Sequence, residues 1–372
     1  MSVTAIPPRA SAVLTIDVDA VAANWRLCRD RALPARCAAV VKADAYGLGA
    51  ERIAPALAAE GCREFFVATI DEGIGLRRIL PESAIFVLCG PLAGAEGDLV
   101  GHRLVPVLNS LEQIGLWRDA AARHGAALAA AIHADSGMTR LGLEAREVGA
   151  LTADPALLAG IRPVLALSHL ACADDRSAAM NGAQRDLFTR LAASLPEGMP
   201  RSLAASSGIF LGAAYHLDMV RPGSALYGIN PTPGHSNPMR PAVRLEARIL
   251  QVRDVDTPMT VGYGATHQIA RKGRVATVAV GYADGWLRSL GNRGHGVIEG
   301  VRVPVVGRIS MDLTTFDVSA LPADTVRPGA MIELIGPSHD ADAVAAEAGT
   351  IGYEILTALG RRYARVHVGG AA

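Results

Sequence analysis

The chain has 372 residues, enough for two domains or for one large barrel with a smaller unit. Half of the residues are hydrophobic and 19% are charged, which provides sizeable cores and excludes a disordered chain. Lys+Arg and Asp+Glu both number 36 and no basic cluster breaks the balance, so neither a nucleic-acid footprint nor a polybasic membrane surface is expected.

In chain order, short apolar strands first alternate with alanine-rich amphipathic helices. Leu14–Val18 reads as a strand, and Asp19 caps a helix through about Arg31. Cys37–Lys42 is a strand, Gly49–Glu60 a helix, Glu64–Ala68 a strand and Asp71–Ile79 a helix. The strand series continues at Ala84–Leu88, Leu104–Leu108, Leu128–His133, Val164–Ser168 and Leu203–Ala205. Helices are expected near Leu111–His124, Glu144–Leu151 and Gln184–Leu195. Strand–helix alternation at this spacing predicts parallel strands, and about eight units in the first 230 residues predict a (β/α)8 barrel. The pattern changes at Pro231–Pro241, which carries four prolines and reads as a boundary. Beyond it, strands are expected at Val243–Val252, Arg274–Val280, Gly296–Ile298, Val303–Val306, Thr314–Val318 and Met331–Ile335, with short helices near Asp340–Ala348 and Tyr353–Leu359. The expected organisation is a barrel over 1–240 and a mainly antiparallel β domain over 241–372, with the first 13 or so residues packing on the latter.

Lys42 and Lys272 are the only lysines; the other 34 cations are arginines. Chemistry that requires a lysine amine therefore has two candidates. The five cysteines, Cys28, Cys37, Cys62, Cys89 and Cys172, are odd in number and scattered, which fits reduced thiols in the cytoplasm better than a disulfide framework or a zinc site. No metal is expected. Met1–Val13 has no apolar core of a secretory signal, and no apolar run approaches the ~18 residues of a membrane span.

In Val40-Val41-Lys42-Ala43-Asp44-Ala45-Tyr46-Gly47-Leu48-Gly49 an apolar strand delivers a lysine to its carboxyl end. That end of a barrel holds the active site. A strand-end lysine alone is commonly a snorkelling surface residue, but at an apolar mouth its pKa falls and its amine becomes a nucleophile or base.

The segment VVKADAYGLGA resembles the pyridoxal phosphate signature of the alanine racemases. Eight further segments resemble motifs of that family in order: GMTRLG, SHLACAD, SSG, VRPGSALYG, VGYGATH, GYADGW, GRISMD and GYE. The resemblance implies a barrel followed by a β domain, pyridoxal phosphate as cofactor, alanine as substrate and a homodimer. It implies that Lys42 carries the cofactor and is one catalytic base, and that Tyr263 is the other. Two bases suit racemisation, because a proton leaves one face of Cα and returns to the other. A tyrosine with a solution pKa near 10 needs cationic or hydrogen-bonding neighbours, for which His169, Arg140 and Arg221 are the candidates. Arg221 is implied to face the pyridine nitrogen and keep it unprotonated. Tyr46, Ser207, Tyr353 and the backbone around Gly223 and Ser224 are implied to hold the phosphate. Arg140 and the backbone of Met311 are implied to place the substrate carboxylate, and Asp174, Tyr282, Arg288, Arg308 and Asp312 to line a narrow channel.

One position departs from the family. Where many members carry a carboxylated lysine, this chain has His133, which cannot form that carbamate. Arg140 must then be oriented by His133, by Asp135 or by a bound anion. A decarboxylase of related fold pairs the pyridine nitrogen with a carboxylate, which Arg221 argues against, and a broader-specificity racemase is the other alternative.

Overall fold

The computed structural model describes residues 8–370, so Met1–Pro7 of the stretch read for a targeting signal lies outside the described residues. Of the described residues, Val21–Arg240 form one compact unit, and 8–20 together with Pro241–Gly369 form another.

In chain order, β1 (Ala12–Asp17) leads into α1 (Val18–Ala32). The expected Asp19 cap is two residues too late: the Asp17 carboxylate accepts the Ala20 N–H at 2.8 Å, because the strand ends there. Next come β2 (36–40, interrupted at Ala38), α2 (Ala50–Ala59), β3 (Glu64–Val67), α3 (Ile70–Ile79), β4 (Ala84–Val87), α4 (Glu96–Gly101) and β5 (Val105–Leu108). They are followed by α5 (Leu111–His124), β6 (Leu128–His133), α6 (Ala145–Ala153), β7 (Ile161–Leu167), α7 (Ala179–Ala193), β8 (Arg201–Ala205), α8 (Ser206–Leu211) and β9 (Met219–Arg221).

Strands β2 to β9 pair in parallel, each with its sequence neighbour, and β9 returns to β2 through Met219–Arg36 and Val220–Cys37. This is an eight-stranded (β/α)8 barrel. The eighth strand is Met219–Arg221, and β1 is no part of the barrel. β1 pairs antiparallel with residues 243–247, because its apolar alternation needs only a sheet edge and carries no label for which sheet. The barrel interior is filled by Ala38, Val40, Phe66, Phe86, Val107, Ala131, Leu165, Leu167 and Met219. Alanines face the wide Phe66 and Phe86 rings, which stack at 4.6 Å, so large and small side chains share one layer.

The second unit contains β10 (Val243–Val255), β11 (Gly273–Val278), β12 (His295–Ile298), β13 (Val301–Pro304), β14 (Thr314–Asp317), β15 (Met331–Ile335), α9 (Ala341–Ala348), α10 (Gly352–Ala358) and β16 (Ala364–Val368). The long β10 is shared: its first half pairs with β1 and β15, its second half with β11. A bulge near Ile249–Gln251 marks the change of partner. The unit is mainly antiparallel, with one exception the sequence did not suggest: β16 lies parallel to β1. Among the described residues, no helix is long and apolar enough to cross a membrane, and all five cysteines are free.

Candidate active site

Lys42 stands where β2 ends, just after Val41 donates to the Phe66 carbonyl at 2.9 Å. The next four residues, Ala43 to Tyr46, all have φ between 53° and 56°. A left-handed turn of non-glycine residues costs roughly 1–2 kcal/mol each, so the surroundings must hold it. Glu72, in the capping box of α3, accepts the Ala43 N–H at 2.7 Å, and the Asp44 carboxylate accepts the Ala50 N–H at 2.7 Å. The turn is thereby braced on both sides of the lysine motif. Burial lowers the Lys42 pKa below its ordinary value; Arg140 adds to this, and Glu72 opposes it.

Arg221 ends β9 and is buried. Its Nη1 donates to Ser202 Oγ at 2.5 Å and its Nη2 to the Ser168 carbonyl at 2.6 Å, and its guanidinium lies 5.9 Å from the Phe66 ring centroid. Burial brings its pKa down to about 10, which leaves it cationic at neutral pH. His169 and His133 share its field. Burial first, then Arg221, pushes His169 down to about 3 and His133 down to about 4. Both imidazoles are neutral at working pH, and Lys42, Arg140 and Arg221 make the barrel mouth cationic.

The His133 tautomer follows from its neighbour. Asn109 uses its amide N–H groups on the Leu88 and Val107 carbonyls, so its Oδ1 is the atom 2.8 Å from His133 Nδ1. Nδ1 therefore carries the proton, and Nε2 is left as an acceptor. Asp135 does not serve Arg140: its carboxylate accepts the N–H groups of Gly137, Met138 and Thr139 at 2.8–3.0 Å and folds the loop before Arg140.

These histidines make acid sensitivity a direct expectation. A folded-state pKa depressed from 6.5 to about 4 means that the unfolded chain binds more protons between those values. Stability is then fully present above pH 6.5 and falls as pH drops toward 4, by on the order of 3 kcal/mol for His133. In thermal melts, His133→Asn should lose less stability between pH 6.5 and 4 than the parent; an unchanged slope would disprove the assignment.

The phosphate-side residues also converge. The Tyr46 ring packs on Tyr227 with centroids 4.7 Å apart, and Tyr227 Oη donates to the Val40 carbonyl at 2.9 Å. A Cβ on Gly223 would sit 2.5 Å from Tyr46 Oη, so any larger residue there must displace the Tyr46 hydroxyl. The Gly223 N–H is itself committed to Ser206 Oγ at 3.0 Å, as is that of Ala225 at 3.1 Å. Ser206 thus shapes the loop that presents buried Ser224, with Ser207 beside it at the start of α8. A cationic mouth beside hydroxyls and close-packed backbone suits a dianionic phosphate and an anionic ring oxygen, and the residues present fit pyridoxal phosphate.

In the second unit, Tyr263 begins a short turn and is 73% exposed. The Arg308 guanidinium lies beside that turn, 3.0 Å from where a Cβ on Gly264 would stand. Tyr282 N–H donates to the Ser310 carbonyl and Ala283 N–H to the Met311 carbonyl, both at 3.0 Å. Any Cβ on Gly281 would collide with those two carbonyls. Arg362 donates through Nε and Nη2 to Asp284 at 2.6 and 2.7 Å and through Nη1 to Asp312 at 2.7 Å. Gly360 N–H donates to the Asp284 carbonyl at 2.9 Å, which fastens the end of the helix bearing Tyr353. Asp174 and Arg288 are exposed, each on its own unit. The sequence reading missed Glu72, Asn109, Ser202 and Arg362, which hold other site residues in place, and gave Ser206 no role beyond the SSG segment. Only Glu72 left a signal, the Thr69-x-x-Glu72 capping box.

The fold and this constellation define a barrel enzyme that offers one amine of lowered pKa inside a cationic mouth. Family models describe the same two parts: the alanine racemase N-terminal domain matches residues 16–231 and the C-terminal domain residues 242–367. Alanine racemase from Rhodospirillum rubrum is 55% identical over 363 residues, covering 97% of both chains. That of Acidiphilium cryptum is 54% identical over 95% of this chain and 98% of its own. The crystal structure of alanine racemase from Bartonella henselae with covalently bound pyridoxal phosphate superposes with a TM-score of 0.93 at 41% identity, covering 96% of this chain and all of that one. The chain belongs to the alanine racemase family.

Proposed function

We propose that the protein interconverts L-alanine and D-alanine with pyridoxal phosphate, by two bases on opposite faces of Cα. The observation that carries this reading is the Lys42 amine, its pKa lowered by burial, in one field with Arg140, Arg221 and two neutral histidines. When bound, the cofactor supplies an electron-withdrawing ring conjugated to the substrate nitrogen, which acidifies the Cα proton.

Lys42 holds the cofactor and moves a proton at one face of Cα; Tyr263 moves it at the other. Arg221, fixed by Ser202 and Ser168, sets a permanent positive charge against the pyridine nitrogen. Proton transfer onto that nitrogen is thereby opposed, which disfavours the electron storage that transamination needs. The phosphate is held by Tyr46, Ser207, Tyr353 and the backbone N–H of Ser224, with Gly223, whose own N–H is committed to Ser206, allowing the close approach. The Arg140 guanidinium and the Met311 N–H place the substrate carboxylate, and His133 Nε2 takes the orienting role that a carbamate has elsewhere in the family. Asp174, Tyr282, Arg288, Arg308 and Asp312 narrow the approach, which suits a one-carbon side chain.

The working unit in this reading is a cytoplasmic homodimer that supplies D-alanine for the cell wall or consumes it. The exposure of the large apolar side chains Tyr263, Tyr282, Met311 and Tyr353 supports a partner chain that covers them. Chiral chromatography of L-alanine incubated with the loaded enzyme should approach an equal mixture of enantiomers with no carbon dioxide released. Carbon dioxide release without D-alanine would replace this reading by a decarboxylase, and faster turnover of larger amino acids by a broad-specificity racemase.

A further inference from the structure

A second polar cluster lies in the C-terminal unit, outside every residue assigned above. His295 opens β12, His339 closes the turn after β15, and Glu347 lies in the last turn of α9. One donor atom from each lies within 4.8 Å of the other two. His295 Nδ1 is 2.5 Å from Glu347 Oε1, His339 Nε2 is 3.3 Å from Glu347 Oε2, and the two imidazole centroids are 3.7 Å apart. The His339 side chain is 1% exposed, and neither ring nitrogen makes a hydrogen bond. Burying an imidazole with both nitrogens unmatched is costly, and the stacked His295 ring does not relieve it.

We propose that His295, His339 and Glu347 form a three-ligand site for a divalent transition-metal ion, zinc being the best match. Two imidazole nitrogens and one carboxylate oxygen are a zinc donor set, with bonds of about 2.0–2.2 Å and a fourth position for water. Glu347 faces both rings, and the three donor atoms lie within 4.8 Å of one another around a common centre, onto which the two stacked rings would turn. His339 Nε2 faces Glu347 Oε2 without hydrogen-bond geometry, and an ion between them would give both atoms a well-directed partner. Arg302 is the competitor: its Nη2 lies 3.0 Å from His295 Nδ1 and 3.3 Å from Glu347 Oε1. Its side chain is 71% exposed, free to swing into water when an ion arrives. The ion would clamp a strand, a turn and a helix together. That helix leads through Gly349 to α10 and Tyr353, so the site braces the segment that carries a phosphate ligand.

The test uses the cofactor-loaded enzyme, stripped with a chelator and titrated with zinc chloride in a calorimeter, with a parallel thermal melt. One equivalent per chain should bind and raise the melting temperature. Glu347→Gln and His339→Asn should each weaken binding at least tenfold, and Arg302→Ala should tighten it severalfold by removing the competing charge. Because Arg302 is exposed, its variant reports even where a buried substitution disturbs folding. No saturable binding, or binding indifferent to Glu347→Gln and Arg302→Ala, would overturn the proposal.

Discussion

Lys42→Ala is expected to abolish racemisation, by at least about a thousandfold, and to remove the visible absorbance that borohydride bleaches in the parent. The size of the loss follows from the lysine inventory. Lys272, the only other lysine, is exposed in the C-terminal unit and follows no barrel strand. In the proposed mechanism the amine has two duties, holding the cofactor and moving a proton, and alanine ends both. Its surroundings depend little on the side chain itself. The left-handed turn is held by Glu72 and Asp44 acting on backbone N–H groups, so the variant should fold and melt close to the parent. Added small amines should restore part of the rate, because they can fill the space vacated by the lysine side chain. Full activity in Lys42→Ala without added amine would remove Lys42 from the mechanism.

Much of this was legible in the sequence because the signals were local. Barrel strands are short apolar runs between caps and breakers, and a strand, helix or turn residue can be read from its neighbours. The lysine motif was legible for the same reason. What escaped depends on contacts distant in sequence. β1 and Met219–Arg221 are both short apolar segments, and only the assembled sheets decide that the first joins residues 243–247 and the second closes the barrel. Asn109 and His133 are 24 residues apart, and Arg362 and Asp284 are 78 apart. An asparagine or an arginine carries no mark of the partner it orients. The Gly223 backbone shows the same limit: its glycine was readable, but its N–H turns inward to Ser206, which only the packed loop reveals.

Mixing two inactive proteins, Lys42→Ala and Tyr263→Phe, is expected to restore about a quarter of the parent activity after subunit exchange. Lys42 follows an early barrel strand and Tyr263 lies beyond the proline-rich boundary, yet both must serve opposite faces of one Cα. Tyr263 is 73% exposed in the single chain, as is fitting for a base whose pocket a second chain completes. A closed two-fold pair uses the same contact twice, so each heterodimer has one site with both defects and one with neither. Equal mixing makes half of the dimers heterodimers, which gives the quarter. A pocket shared in this way would also exclude water from the reacting carbon. Tyr263→Phe alone should retain the Arg308 packing and lose only the phenolic proton, so its defect should be one-sided. If Lys42 takes the proton of D-alanine and Tyr263 that of L-alanine, as the resemblance to the alanine racemases implies, exchange of the Cα proton with solvent deuterium should fall far more for L-alanine than for D-alanine. Equal losses for both enantiomers would count against two separate bases. Demonstrated heterodimers without recovered activity would mean that Lys42 and Tyr263 of the same chain work together.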